Sequence, residues 1–168
     1  MLTGMDVAVE EAREMPLASI PKGPWKEFST EALRMAKMMQ GFGYSGLASI
    51  DAVISTSGDV WFNEVNARIG GSTHLNHIAA TLVGPDWADS HILLSRFSVR
   101  SPNLQQLLEL LTANQLSWDP ENRRGIVIAS DDTEVSGNIE YVVLAPSWED
   151  GRSLESKLGK ILACSVAS

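Results

Sequence analysis

A carboxylate and an amide stand two residues apart in the stretch that runs from Trp61 to His74. Glu64 and Asn66 carry hard oxygen ligands at the end of a predicted strand, where side chains at i and i+2 share one face. Groups suited to an anion follow at once, namely Arg68, Gly70, Gly71, Ser72, Thr73 and His74. The stretch therefore joins chemistry for a divalent cation to chemistry for an anion.

A second carboxylate is predicted to lie opposite the first. Residues 47–54 form a β-branched strand, and the turn-forming residues 55–59 separate it from the strand of Glu64. A symmetric loop of two or four residues about Ser57-Gly58 pairs Asp51 with Glu64, whereas an odd loop breaks this register. Opposed carboxylates about 5 Å apart repel each other. A bound cation offsets that repulsion, but two solvated carboxylates at a sheet edge explain the local pattern equally well.

The residues after Asn66 favour the functional interpretation. Arg68 carries a planar donor fork suited to phosphate or carboxylate. The paired glycines allow close backbone approach, and Ser72 or Thr73 can cap a helix over residues 73–83 whose N-terminus attracts anions. An ordinary glycine-rich loop with a helix cap explains each feature alone. Their combination directly after a carboxylate–amide pair favours a binding site.

These residues resemble the metal-binding end of the ATP-grasp ligases, most strongly over residues 41–77. The sequence from Asn63 to His74 is most similar to the bacterial peptide-ligase branch that makes pheganomycin-like peptides. The resemblance implies ATP-dependent joining of a carboxylate to an amine or peptide acceptor through an acyl phosphate. It implies that Asp51, Glu64 and Asn66 hold Mg²⁺ (or Mn²⁺) on the phosphates of ATP. Catalytic Arg68 and the phosphate-binding residues 70–74 would then face the acyl phosphate.

The same resemblance predicts an incomplete enzyme. Residues 1–27 show neither the glycine-rich phosphate loop nor the strand-borne lysine of the family's nucleotide lobe. We therefore expect residues 1–100 to be the C-terminal part of an ATP-grasp domain, and residues 101–168 to be a small α/β extension packed on it. The chain alone should bind Mg²⁺–ATP weakly or not at all. A non-catalytic binding or assembly module is the alternative, and a homodimer or a missing N-terminal lobe would complete the molecule.

Composition narrows the class of protein. The formal net charge of −8 and the pI near 4.8 argue against nucleic acid as a partner. No apolar run approaches the roughly 20 residues of a membrane span, and no signal peptide is recognisable, so we expect a cytoplasmic protein. The acidic residues Asp131, Asp132 and Glu134 lack the spacing of a calcium loop and predict a solvated hairpin tip.

The order of predicted elements indicates an α+β fold, with an antiparallel β-sheet and flanking helices like the C-terminal lobe of an ATP-grasp domain. Strands are predicted at 47–54, at 125–130, at 138–144 and in a segment ending at Asn66. Helices are predicted at 31–40, 73–83, 86–95, 104–111 and 153–162, with a short one possible within the acidic residues 1–15.

Overall fold

A computed structural model describes residues 12–15 and 22–166. The chain divides into two compact units, described separately below. The sheet unit comprises Met1–Pro16 and Leu75–Ser168, and the hairpin unit comprises Leu17–His74. The predicted α+β class is confirmed, because the described residues form two antiparallel sheets and four α-helices.

A four-stranded antiparallel sheet organises the sheet unit, in the order β1-β4-β6-β5. Its strands are β1 (Ala12–Met15), β4 (Ile92–Arg100), β5 (Gly125–Asp132) and β6 (Asn138–Ala145). The helices are α2 (Thr73–Leu82, from Leu75 onward in this unit), α3 (Leu104–Ala113) and α4 (Trp148–Val166), with a 3₁₀ turn at Trp87–Asp89.

The interior strand β6 is apolar on both faces from Tyr141 to Ala145, and each face of the sheet carries its own core. Tyr141, Val143 and Ala145 lie in a cluster with the apolar sides of α3 and α4. Val142 and Leu144 alternate with them and pack in a second cluster with α2 and Trp87. A run of consecutive apolar residues is typical of a strand covered on both faces, because successive side chains point in opposite directions.

The hairpin unit consists of one helix and a two-stranded antiparallel sheet. These are α1 (Lys22–Gly41), β2 (Ser49–Ile54) and β3 (Val60–Asn66). Phe28 of α1 stacks on Phe62 of β3 at 5.6 Å between ring centroids, and Trp25 stacks on Phe28 at 5.7 Å. Within residues 22–74 no side chain is fully buried.

Helix α1 begins nine residues earlier than predicted, at Lys22 rather than Glu31. The predicted caps, Ser29 and Thr30, instead donate to the carbonyls of Trp25 and Lys26 one turn back. Pro24 had indicated an extended segment, but it lies in the first turn, where a missing N–H leaves no helical bond unmade. Pro16 and Pro21 lie outside the described residues.

The predicted helix 86–95 is wrong, and the short helix predicted within residues 1–15 does not include the four residues that the structure describes there. Residues 92–95 of the predicted helix 86–95 belong to β4, and only Trp87–Asp89 form a 3₁₀ turn. Ala12–Met15, in the acidic segment predicted as a helix, form β1 and pair with β4. The apolar run Ile92–Leu94 is as compatible with a buried strand as with a helix, and pairing on both sides selects the strand. The rest of residues 1–15 lies outside the described part.

The remaining elements lie close to their predicted positions, although α4 extends beyond 153–162 at both ends. The compact units have other bounds than the predicted parts 1–100 and 101–168, which stay a prediction. Among the described residues, no helix has the length and apolar character needed to cross a membrane.

Candidate functional site

Asp51 and Glu64 lie directly opposite each other on β2 and β3, and this part of the predicted register is confirmed. The loop between the strands is odd, however, since Ile54 pairs with Val60 across residues 55–59. A β-bulge at Asn63 supplies one extra residue on β3 and restores the predicted pairing at Asp51. The prediction of a symmetric loop is therefore wrong. The bulge offsets the one-residue shift in register that the odd loop introduces.

The same face of the hairpin also carries Ser49, which is not among the predicted site residues. Ser49 pairs with Asn66, and its hydroxyl donates to Asp51 Oδ1 at 2.8 Å. Four oxygen-bearing side chains therefore share one face: Ser49, Asp51, Glu64 and Asn66. The i, i+2 alternation that joins Glu64 to Asn66 would also have joined Ser49 to Asp51.

An apolar pair continues this face toward the loop end of the hairpin. Val53 lies two residues beyond Asp51 and pairs with Trp61, and the two are 59% and 68% exposed. The neighbouring pair, Ala52 and Phe62, lies on the other face, where Phe62 stacks on α1. The exposed face of the hairpin is thus polar at one end and apolar at the other.

The glycine loop after β3 folds back beside the polar end. A Cβ placed on Gly70 would lie 4.0 Å from Ser49 Cβ, so the loop backbone runs close to Ser49. The Gly70 N–H donates to Thr73 Oγ1 at 3.0 Å, and the Thr73 N–H donates to the Gly70 carbonyl at 3.1 Å. Two of the amides predicted to bind an anion are thus used inside the loop. The backbone N–H groups of Gly71 and Ser72 have no hydrogen-bond partner among the described residues. The predicted anion site at this loop therefore stays a prediction.

Arg68 lies exposed after the strand. Its Nη1 donates to the carbonyl of Ile69 at 3.3 Å, and its backbone N–H donates to the Asn66 carbonyl at 2.9 Å. No ion pair joins it to Asp51 or Glu64 in the described part of the chain. His74 lies exposed at the second position of α2. The substrate roles of Arg68 and His74 stay predictions.

The donor set on the hairpin face fits a hard divalent cation. Two carboxylates, an amide oxygen and a hydroxyl are oxygen ligands of the kind that Mg²⁺ takes in proteins, usually with waters or phosphates completing the shell. A bound cation would also offset the repulsion between the opposed carboxylates, which solvation at the exposed Glu64 already reduces. No cluster of three or more His, Cys, Asp or Glu side chains able to hold a metal occurs among residues 12–15 and 22–166. A cation here would therefore depend on Asn66 and Ser49 as well as on the acids.

Comparison with known proteins concerns the other unit. Residues 106–158 match the family model of the PGM1 C-terminal domain, a domain found in ATP-grasp-like ligases. The matched stretch runs from α3 through β5 and β6 into α4 and covers about a third of the chain. No curated protein matches the chain. The similarity is thus limited to residues 106–158 of the sheet unit, and the match includes none of the hairpin residues.

Proposed function

We propose that the protein acts in ATP-dependent ligation of a carboxylate to an amine or peptide, with its metal–phosphate site on the hairpin face. The observation that carries the proposal is the pairing of Asp51 with Glu64 beside Ser49 and Asn66 on one exposed face. Such a face suits a charged ligand that brings its own cation.

Each residue of the face has a definite role in this proposal. Asp51, Glu64 and Asn66 would hold Mg²⁺ or Mn²⁺, with the carboxylates as charged ligands and the amide oxygen beside them. When bound, the cation would neutralise the phosphate charge that develops during transfer to the substrate carboxylate. Ser49 donates to Asp51 and so leaves fewer orientations open to that carboxylate. Arg68 and the amides of residues 71–72 would meet the acyl phosphate after movement of an exposed side chain.

The match of residues 106–158 supports this reading because it comes from the other unit and uses none of the hairpin residues. Two separate segments, one found by motif and one by family model, point toward the same class of ligase. The finer assignment, to the branch that makes pheganomycin-like peptides, is part of the proposal and rests on the stretch from Asn63 to His74.

A non-catalytic binding or assembly module is the second candidate, and the charge of the hairpin favours it. Neither β2 nor β3 carries a lysine or an arginine. The glycine loop also uses two of its amides internally. A triphosphate on this face would have few donors beyond a cation, and unpaired phosphate charge is costly in a cleft.

Trapping with hydroxylamine separates the two candidates. Because the chain alone is expected to bind Mg²⁺–ATP weakly, the full chain is incubated with ATP and Mg²⁺ at high millimolar concentration, together with hydroxylamine and a panel of free amino acids. A ligase transfers the γ-phosphoryl group to a carboxylate and releases ADP; hydroxylamine then attacks the acyl carbon, phosphate leaves, and a hydroxamate forms. We expect hydroxamate and ADP in equal amounts, dependent on the carboxylate and lost in Glu64→Gln.

The matched control is Asp59→Asn on the same hairpin. Asp59 accepts from the hydroxyls of Ser55 and Ser57 in the loop, at the end of the hairpin remote from Glu64. The ligase proposal predicts hydroxamate from this variant at the wild-type rate. Cation binding at Glu64 without any hydroxamate would support the non-catalytic module instead, and equal loss in both variants would contradict the assigned site.

A further inference from the structure

The outer edge of β5 is open for pairing beyond its first residues. β5 is an edge strand, bonded on one side to β6. At Ile126 its other side is occupied, since the Ile126 N–H donates to the Leu116 carbonyl at 2.8 Å and its carbonyl accepts from Trp118 N–H at 3.2 Å. Backbone groups alternate in direction along a strand, so those of Ile128 point outward as well. Among the described residues they have no partner.

An apolar groove of about 510 Å³ runs along this open edge. Leu104 and Leu108 of α3 line it together with Trp118 and residues 126–131. Leu108 is 43% exposed although it lies in a unit that buries most of its large apolar side chains. Unpaired strand amides beside apolar side chains are the arrangement by which sheets accept an added peptide strand.

Charge at the groove is of one sign. Asp131 lines the end of the groove, the exposed Asp132 follows it, and no lysine or arginine is among the lining residues. Asp131 Oδ1 accepts from the amide and hydroxyl of Thr133, which holds the carboxylate at the end of the strand. A complementary partner therefore carries a basic side chain at this end.

We propose that this groove binds an extended, basic peptide from another protein as an added strand on β5. The peptide backbone pairs with the N–H and carbonyl of Ile128. An apolar side chain lies against Leu104 and Leu108, and a lysine or arginine reaches Asp131. The site lies in the sheet unit, within or directly beside the segment that matches the PGM1 C-terminal domain, and it does not depend on the proposed ligase activity.

The bulge in β5 limits how far the added strand can pair. The register with β6 shifts between Ile128 and Ser130, so regular outward pairing stops near Ala129. The groove therefore accepts a short segment, and apolar contact and charge supply most of its selectivity. The apolar contact and the charge interaction can each be tested separately by substitution.

Amide exchange at Ile128 reads out the pairing directly. The probe is the peptide acetyl-Lys-Val-Thr-Val-Lys-amide, added to the full ¹⁵N-labelled chain. We expect the Ile128 amide to exchange at least tenfold more slowly with saturating peptide. The Ile126 amide, already bonded to Leu116, serves as an internal reference and should keep its rate. The same peptide with glutamate in place of lysine should bind at least fivefold more weakly.

Two variants assign the contacts. Leu108→Asn should weaken binding at least fivefold, whereas Leu33→Asn, the same change at an exposed leucine of the hairpin unit, should not. Asp131→Asn should remove the preference for the lysine peptide. An unchanged Ile128 rate, or equal binding of the glutamate peptide, overturns the proposal. Concentration-dependent protection of Ile128 without peptide overturns it in favour of a second copy of the chain.

Discussion

The sheet unit buries most of its large apolar side chains, whereas the hairpin unit leaves many of its own exposed. Among residues 22–165, whose burial the structure describes, all nineteen buried hydrophobic residues belong to the sheet unit, between Leu75 and Leu162. Nine of the eleven exposed large hydrophobic residues in the same range belong to the hairpin unit, among them Trp61 and Phe42. The sheet unit has a core on each face of its sheet, whereas residues 22–74 have stacked rings and no buried side chain.

This difference indicates that the sheet unit supplies most of the folding stability, whereas the hairpin unit carries the candidate binding residues. A two-stranded hairpin with one helix is marginal in water, while a four-stranded sheet covered on both faces buries enough apolar surface to be stable. The candidate cation ligands lie on the unit without a core. Substitutions in the sheet unit should therefore change the free energy of unfolding, and substitutions on the hairpin face should change binding.

The largest expected effect is loss of a core leucine. Leu107→Ala removes a side chain that is 0% exposed and should lower the free energy of unfolding by about 2–5 kcal/mol. Leu33→Ala, at a side chain that is 57% exposed in the hairpin unit, should change it by less than about 0.5 kcal/mol. Urea denaturation of both variants measures the contrast. A cost at Leu33 as large as at Leu107 would show that the hairpin unit has a core after all.

High pH should weaken the sheet unit through Tyr141. Burial raises the pKa of Tyr141 to about 12, and the neighbouring Glu155 carboxylate adds to the rise. The unfolded tyrosine loses its proton near pH 10, so the folded state binds more protons between about pH 10 and 12. Stability is then fully present below pH 10 and falls as pH rises, by roughly 1–3 kcal/mol in total.

Urea denaturation between pH 9 and 11.5 measures this decline. Tyr141→Phe should flatten it, because no proton is then lost at that position. Tyr44→Phe, in the hairpin unit, should leave the decline as it is in the wild type. If the free energy of unfolding falls with the same slope in Tyr141→Phe, the loss of stability at high pH is caused by other groups.

A smaller effect is expected from a glycine that the fold requires. Gly125 has φ +144°, and a Cβ there would lie 2.5 Å from the Ser117 carbonyl oxygen and from Trp118 Cα. Gly125→Ala should therefore cost more than about 1 kcal/mol of unfolding free energy. Gly41→Ala is the matched change in the hairpin unit, where a Cβ meets nothing within 4 Å. It should be neutral or slightly stabilising in thermal or urea unfolding.

The hairpin was predicted well because alternation along a strand and turn-forming residues are features of neighbouring residues in the sequence. Alternation placed Glu64 beside Asn66, and the turn residues placed Asp51 opposite Glu64. The odd loop and the bulge at Asn63 were not predictable from alternation, since two opposite shifts of one residue cancel at Asp51. The predicted register was thus confirmed through a geometry different from the one assumed.

Other elements depended on partners distant in sequence. β4 is a strand because β1 and β6 bond to its two edges, and the run Ile92–Leu94 alone does not say so. Helix α1 starts at Lys22 because Pro24 is tolerated in a first turn, where turn propensity had indicated an extended segment. Ser49 was missed because a serine in a strand attracts no attention until its hydrogen bond to Asp51 is seen.

Paramagnetic broadening by Mn²⁺ tests the central claim most directly, because it locates even weak cation binding in the full chain. We predict that substoichiometric Mn²⁺ broadens the amide resonances of Asp51, Glu64 and their strand neighbours first, and that excess Mg²⁺ reverses the effect. Glu64→Gln should abolish this broadening and Asp59→Asn should preserve it. Broadening centred on the acidic tip at Asp131–Glu134, or unchanged in Glu64→Gln, would contradict a cation site on the hairpin face.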